Sequence, residues 1–310
     1  MRALALHLGL LAVLFGLHFV LPAYHHGNVA RVMVLASYAI GYNLLFGYAG
    51  LLSLGHALFF AAGMYGAGLV VQHGGSSAGP AFIAGIAAAT VVAGALALLA
   101  LRTVGVGFMI VTLMFAQAGY LVILQFSEIT GGDEGFVLPK AGRMLGGFDL
   151  STPDARYLAA LALFSTCLLL SLWLARAPFG RVLVAIRENE ERVRMLGYDT
   201  QAHKRAAMVL SGAISGAAGA GYALLFGYVG ASFAEVQYSI LPLLWVLLGG
   251  AGTVIGPFVG ALFMFYLIDL ASGVTTAYML IAGVALVLLT LFAPQGIMGE
   301  VRRRLWRGLP

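Results

Sequence analysis

Long apolar runs separated by short polar stretches dominate the chain. Runs with almost no charge recur at roughly 3–21, 29–47, 54–72, 80–101, 104–125, 156–175, 206–229 and 275–293. Each approaches or exceeds the ~18–20 residues that a helix needs to cross a bilayer core. A further apolar region, 238–271, is interrupted by Gly249, Gly250, Gly252, Gly256 and Pro257. The alternating ~10-residue segments of a membrane barrel are missing. The pattern predicts an all-α polytopic membrane protein with about 8–10 transmembrane helices. The 238–271 region must either dip in and return or form two short spans. The first run, Ala3 to Val20, has one leading Arg and no small-residue cleavage site before Pro22, so it is expected to be retained.

Composition excludes a soluble domain. Hydrophobic residues make up 61% of the 310 and charged residues 9%, against about 25% charged in soluble proteins. The formal net charge of +5 is not spread evenly. Of 17 Lys and Arg residues, seven lie between Arg176 and Arg205, and four more are Arg302, Arg303, Arg304 and Arg307. Clusters beside spans follow the positive-inside rule, so both are expected to be cytoplasmic and neither suggests nucleic acid. Counting spans backward puts 126–155 outside, Arg102 and 48–53 inside, Tyr24 to Asn28 outside and the N-terminus inside. Arg31 is then left as a basic residue near the outer face. Parity requires 238–271 to begin and end on one side. Its broken backbone survives at membrane depth only if buried in protein or lining a wet cavity, which makes 249–257 a candidate pathway element. The whole chain, 1–310, is expected to be a single transmembrane domain with a cytoplasmic loop 176–205 and an external loop 126–155.

The 176–205 loop carries a predicted helix. Pro178 and Gly180 end the preceding span, and Val182 to Leu196 holds good helix formers. Leu183, Ile186, Val193 and Leu196 form an apolar face, while Arg187, Glu190, Glu191 and Arg194 are expected to face water. Gly197 supplies the stop signal. Such a helix between two spans either docks on a soluble partner or lies solvated at the interface. Gly47-Tyr48-Ala49-Gly50-Leu51-Leu52-Ser53 echoes Gly227-Tyr228-Val229-Gly230-Ala231-Ser232, a possible pseudo-repeat of two halves. Small residues recur at four-residue spacing at Gly252, Gly256 and Gly260, at Ser211, Ser215 and Gly219, and at Gly212, Gly216 and Ala220. These stripes are expected to pack helices within the chain, with a subunit seam as the alternative.

Chemistry is sparse. The single cysteine, Cys167, excludes an internal disulfide. No nucleophile elbow, zinc-protease motif or phosphate-binding loop occurs, so the chain is not read as an enzyme and is not expected to hydrolyse ATP by that route. Asp269 and Glu235 are the main acids near the membrane, both close to span ends. His56 begins a span after a Ser-Leu-Gly turn, as a bundle hydrogen bonder or a path residue. Thr130-Gly131-Gly132-Asp133-Glu134-Gly135 is a tight loop on the outer side. An ion-coupled secondary carrier using Asp269 or Glu235 is the reading from a different class.

Five segments together resemble the M-type membrane permease of branched-chain amino-acid ABC importers. They are Tyr42 to Ala57, Thr112 to Gln117, Thr130 to Gly135, Pro178 to Glu190 with Gly197-Tyr198, and Gly249 to Pro257, followed by Pro294 to Gly299. The resemblance implies an inner-membrane heterodimer with a second permease, two cytoplasmic ATPase subunits and an external solute-binding protein. It implies no cofactor on this chain and no metal, with ATP and Mg on the partner ATPases. Arg187, Glu188, Asn189, Glu190 and Gly197 would form the ATPase-coupling element. Gly47, Gly50, Ser53, Gly55, His56, Gly249, Gly250, Gly252, Thr253, Gly256 and Pro257 are the expected path or broken-helix residues. Thr130, Gly131, Gly132, Asp133 and Gly135 form the external loop. Urea and short-amide importers use very similar permeases, so the solute class stays open between them.

Overall fold

Each apolar run becomes a helix, because backbone polar groups in hydrocarbon must be satisfied within the segment. The computed structural model describes residues 2–305. Its helices are α1 (Arg2–Leu17), α2 (Ala23–Asn43), α3 (His56–Gly74), α4 (Ala78–Ala100), α5 (Val106–Gln125) and the single turn α6 (Ser127–Thr130). After the loop come α7 (Pro153–Arg176), α8 (Pro178–Met195), α9 (Thr200–Phe226), α10 (Val236–Gly249), α11 (Gly256–Ser272), α12 (Tyr278–Phe292) and α13 (Gly296–Leu305). A π-helical turn, Leu44–Tyr48, extends α2. Four two-residue strands sit in loops: β1 (Phe136–Val137), β2 (Met144–Leu145), β3 (Phe148–Asp149) and β4 (Tyr228–Val229). β1 pairs antiparallel with β4, and β2 with β3. By length and composition, α2 with its π turn, α4, α5, α7 and α9 suffice to cross a membrane, and three shorter apolar helices accompany them among the described residues. The all-α polytopic architecture expected from the pattern is the one observed.

The small-residue stripes explain how the bundle closes. α9 runs through its middle and is buried along most of its length. Gly216 lies against Ala89 of α4, Gly63 of α3 against the Gly216 backbone, Gly219 against Phe60, and Gly41 of α2 against Ser211 and Ser215. A Cβ at Gly63 or Gly219 would strike backbone, and one at Gly41 or Gly216 would strike a neighbouring side chain, so the four helices pack with little between their main chains. The stripes serve packing within the chain. The stripe at Gly252, Gly256 and Gly260 is shorter than expected: Gly256 and Gly260 seat α11 on α10, but Gly252 is not helical.

The ends of the helices define two faces. One carries α8, the C-terminal end of α2, residues 101–105 and the 250–255 break, which meet around Arg187 and Gly250. The other carries the 126–155 loop, the β1–β4 pair and the start of α2, where Tyr24 meets Asp269 at the end of α11. The 238–271 region is therefore a hairpin of two short helices, starting and finishing on the loop face.

Boundaries moved for local reasons. α2 begins at Ala23, not 29, directly after Pro22. α9 begins at Thr200, not 206, because Asp199 caps it by accepting from the Ala202 amide at 2.9 Å. α8 begins at Pro178, not 182: proline ends α7, but its fixed φ also suits the first turn of a new helix. α13 was not anticipated as a helix. Its Glu300 pairs with Arg303 and Arg304, and Arg307 lies outside the described residues.

Candidate coupling and translocation site

Two breaks in the helical backbone meet beneath α8. The first follows α2, whose i→i−4 ladder loosens into the π turn and ends at Gly50, with φ +71°. The second separates α10 from α11, with Gly250 at φ +115° and Gly252 at φ +74°. Helix ends leave orphan polar groups, and a side chain from the end of α2 satisfies the second break here. Asn43 is fully buried. Its amide nitrogen donates to the Thr253 carbonyl at 2.9 Å, and its oxygen accepts from the Gly252 amide at 2.9 Å. Thr253 closes the turn by donating to the Gly250 carbonyl at 2.6 Å. Gly249 and Gly256 sit in backbone contact where α10 and α11 cross, and Pro257 opens α11 as a buried first-turn residue.

α8 is attached to this junction directly. Arg187 donates a short hydrogen bond to the Gly47 carbonyl, inside the π turn, and pairs with Glu188 at 3.0 Å. The same guanidinium lies near Gly252, where an added Cβ would come within 3.2 Å of Nη1. The lack of a side chain at Gly50 admits the Arg187 stem, since a Cβ there would lie 2.5 Å from its Cγ. A cleft of about 170 Å³ lies beside this contact, lined by Ala49, Gly50, Leu51, Ile186, Arg187 and Lys204, among others. The turn between α12 and α13 completes the knot, with the Gln295 carbonyl and Gly299 amide against Gly250.

α8 itself is bent. Asn189 has φ −162° and ψ 98°, so the helix is two pieces, and the Asn189 side chain caps the second by accepting from the Arg192 amide at 2.9 Å. Leu183, Ile186 and Val193 are buried as the pattern predicts, but Leu196 is exposed, because the helix ends at Met195 and Leu196 is its non-helical C-cap residue. Arg187 and Glu190 do not simply face water. Arg187 reaches inward to α2, and Glu190 pairs with the buried Lys204 of α9 and accepts from Thr200 at 3.0 Å. Burial opposes ionisation of Glu190, but Lys204, Thr200 and Arg194 outweigh it and hold the carboxyl below its ordinary range. Gly197 ends the helix with φ +88°.

Ser53 and Gly55 lie in the break before α3, which His56 opens, and all three are buried. Tyr42 donates to the Ser53 carbonyl at 2.9 Å. Ser211 donates to the Gly41 carbonyl at 2.5 Å, so its oxygen accepts from His56 Nε2 at 2.8 Å. That assigns the imidazole proton to Nε2, and His56 ties α3 to α9 and α2. On the opposite face, Thr130 donates to the Ile123 carbonyl at 2.6 Å, while Gly131, Gly132 and Gly135 take positive φ. This bends the loop onto Val229 and Gly230, with Asp133 exposed. Arg143 anchors it by donating to the Leu224 and Leu225 carbonyls at 2.7 and 2.6 Å, which caps the C-terminal end of α9. Asp269 accepts from Tyr24, and Glu235 precedes α10, so both acids lie at helix ends on the loop face.

The segments that converge under α8 come from residues 43–50, 187–190, 249–257 and 295–299. A family model described as the permease component of branched-chain amino acid transport systems matches residues 27–292 and so contains nearly all of them. The chain belongs to that family. It is a multi-pass membrane permease, a transport subunit rather than an enzyme. The chain is 31% identical to the Escherichia coli K12 high-affinity branched-chain amino acid transport system permease protein LivM, over 88% of this chain and 69% of the relative. The Salmonella typhimurium protein of the same name is 30% identical over the same shares. A probable LivM of Methanocaldococcus jannaschii is 28% identical over 84% of this chain and 89% of the relative. No solved structure matches the chain. Asn43 and Arg143 carry much of the geometry but were not singled out from sequence. Asn43 lies within the Tyr42–Ala57 segment, and a polar amide in an apolar run is its sequence signal.

Proposed function

We propose that this permease is the translocating subunit of an ATP-driven importer of branched-chain amino acids in a bacterial inner membrane, with α8 as its coupling lever. One observation carries the coupling assignment: Arg187 of α8 bonds the carbonyl at the α2 break, which Asn43 ties to the α10–α11 break. A displacement of α8 therefore pulls on both breaks together. The face that holds α8 and α13 is the cytoplasmic one, consistent with its Arg and Lys clusters. Two ATPase subunits dock there and hold the ATP and Mg, a second permease pairs laterally, and a solute-binding protein delivers from the loop face. No cofactor belongs to this chain. The relatives' names support branched-chain amino acids as the solute. A competition panel in cells expressing the whole system tests this. Excess unlabelled leucine is expected to suppress labelled leucine uptake, while urea and acetamide leave it unchanged. Suppression by urea or acetamide alone would assign the chain to an amide importer instead.

A further inference from the structure

Arg31 breaks the economy of the fold. It lies two turns into α2, about 12 Å from the helix start on the loop face, exposed on the surface of the chain and followed by an unbroken run of buried residues. A guanidinium at such depth is costly, and intramembrane charge marks a ligand or ion pathway unless it is paired. Arg31 has no carboxylate within ion-pair distance among the described residues. Its guanidinium instead lies over the ring of Phe226, 5.2 Å from the centroid. Arg156, at the start of α7, approaches the same ring at 5.6 Å. Arg156 donates to the Ser151 carbonyl at 2.8 Å through one Nη, while its buried Nε has no partner. Two cations thus share one ring and lack an anion.

Below them the wall is aromatic. Tyr222 packs on Phe226 at 4.7 Å and on Phe233 at 4.9 Å, and Phe233 packs on Tyr238 at 4.8 Å. Tyr38 donates to the Tyr238 carbonyl at 2.9 Å and joins this wall to the buried stretch of α2. α2, α7, α9 and α10 each contribute a residue to this cluster. Cations at the rim and aromatic carbon beneath match a small molecule with a carboxylate at one end and an aliphatic body at the other.

We propose that Arg31 and Arg156 form a carboxylate-binding site at the outer mouth, with Phe226, Tyr222 and Tyr238 receiving the aliphatic side chain. This rests on the importer reading above and deepens it, because urea and neutral amides have no carboxylate to offer. Guanidiniums bind carboxylates through charge-assisted, often paired hydrogen bonds. The site orients an arriving amino acid with its carboxylate on α2 and α7, the first of which ends at the coupling junction. An anionic lipid headgroup offers similar chemistry, and the test separates the two.

The assembled importer, without its binding protein, is placed in vesicles of phosphatidylethanolamine with or without phosphatidylglycerol and treated with phenylglyoxal. Mass spectrometry reads modification of Arg31 and Arg156. Leucine and isovalerate are expected to slow modification of both about tenfold in either vesicle, the scale of one charge-assisted hydrogen bond, and leucinamide to have no effect. Equal protection by leucinamide, no protection by either carboxylate, or protection that follows phosphatidylglycerol alone would overturn the site. In a parallel uptake assay Arg31→Gln is expected to lower leucine transport about tenfold, with Arg31→Lys retaining more. Unchanged uptake in Arg31→Gln overturns the site and leaves the importer reading standing. Wild-type vesicles that protect both arginines with leucine but import none, once the binding protein is added, overturn the importer reading and leave the site.

Discussion

Asn43 shows what one polar side chain does in an apolar bundle. Its two hydrogen bonds close a helix break that lies more than two hundred residues away in sequence. Asn43→Leu leaves the Gly252 amide and the Thr253 carbonyl without their partner. Interhelical hydrogen bonds in membranes average under ~1 kcal/mol, and stranded buried groups cost more, so a loss of about 1–3 kcal/mol is expected. Thermal unfolding in detergent should show it, with membrane insertion intact. Glu190 is the second informative residue. Its carboxyl titrates below the ordinary range in the folded chain, so its stabilising contribution is present above the ordinary carboxylate pKa and is lost as pH falls through the lowered value. Glu190→Gln is expected to destabilise the fold by about 1–3 kcal/mol at neutral pH, because Lys204 is left buried without its anion. Wild type and variant should converge at low pH once the wild-type carboxyl is protonated. A difference that persists unchanged into acid would contradict the pairing.

At the scale of elements, the apolar runs were legible because 20-residue hydrophobicity leaves few alternatives in a bilayer. Parity of crossings anticipated the α10–α11 hairpin. The start of α9 was not legible: Lys204 and Arg205 made its first turn look like loop, and only tertiary pairing with Glu190 neutralises Lys204. The exposure of Leu196 was equally hidden, since a helical wheel carried on to Leu196 assumes a helix that in fact ends at Met195. His56 read from sequence as either a path residue or a bundle hydrogen bonder, and its bond to Ser211, distant in sequence, was not legible there. α8 is the element whose role is most directly testable. Arg187→Ala removes the bond to Gly47 but leaves the buried Leu183, Ile186 and Val193 face. The variant complex is expected to assemble and to hydrolyse ATP while leucine uptake falls about tenfold or more, since a coupling step loses a charge-assisted contact. Wild-type uptake per ATP hydrolysed in that variant would remove Arg187 from the coupling path.

On the scale of the whole molecule, the chain divides its labour between two faces. One face gathers the helix breaks under a charged helix. The other folds a glycine-bent loop against the end of α9 and carries the Arg31–Phe226–Arg156 cluster. α2 and α9 run between them and pack to backbone contact, so a shift imposed at one end is felt at the other. The echo between residues 47–53 and 227–232 lands on opposite faces, after α2 and after α9. That is the placement expected of halves related by an in-plane axis. No nucleotide-binding motif accompanies this machinery, and the account places the energy source on separate subunits. Reconstitution tests that division most directly: labelled leucine uptake is measured in vesicles holding this chain with its permease partner, with and without the ATPase subunits, the solute-binding protein being present throughout. The account predicts uptake only when the ATPases and ATP are both present. Concentrative uptake without any nucleotide hydrolase, driven by an ion gradient, would contradict it.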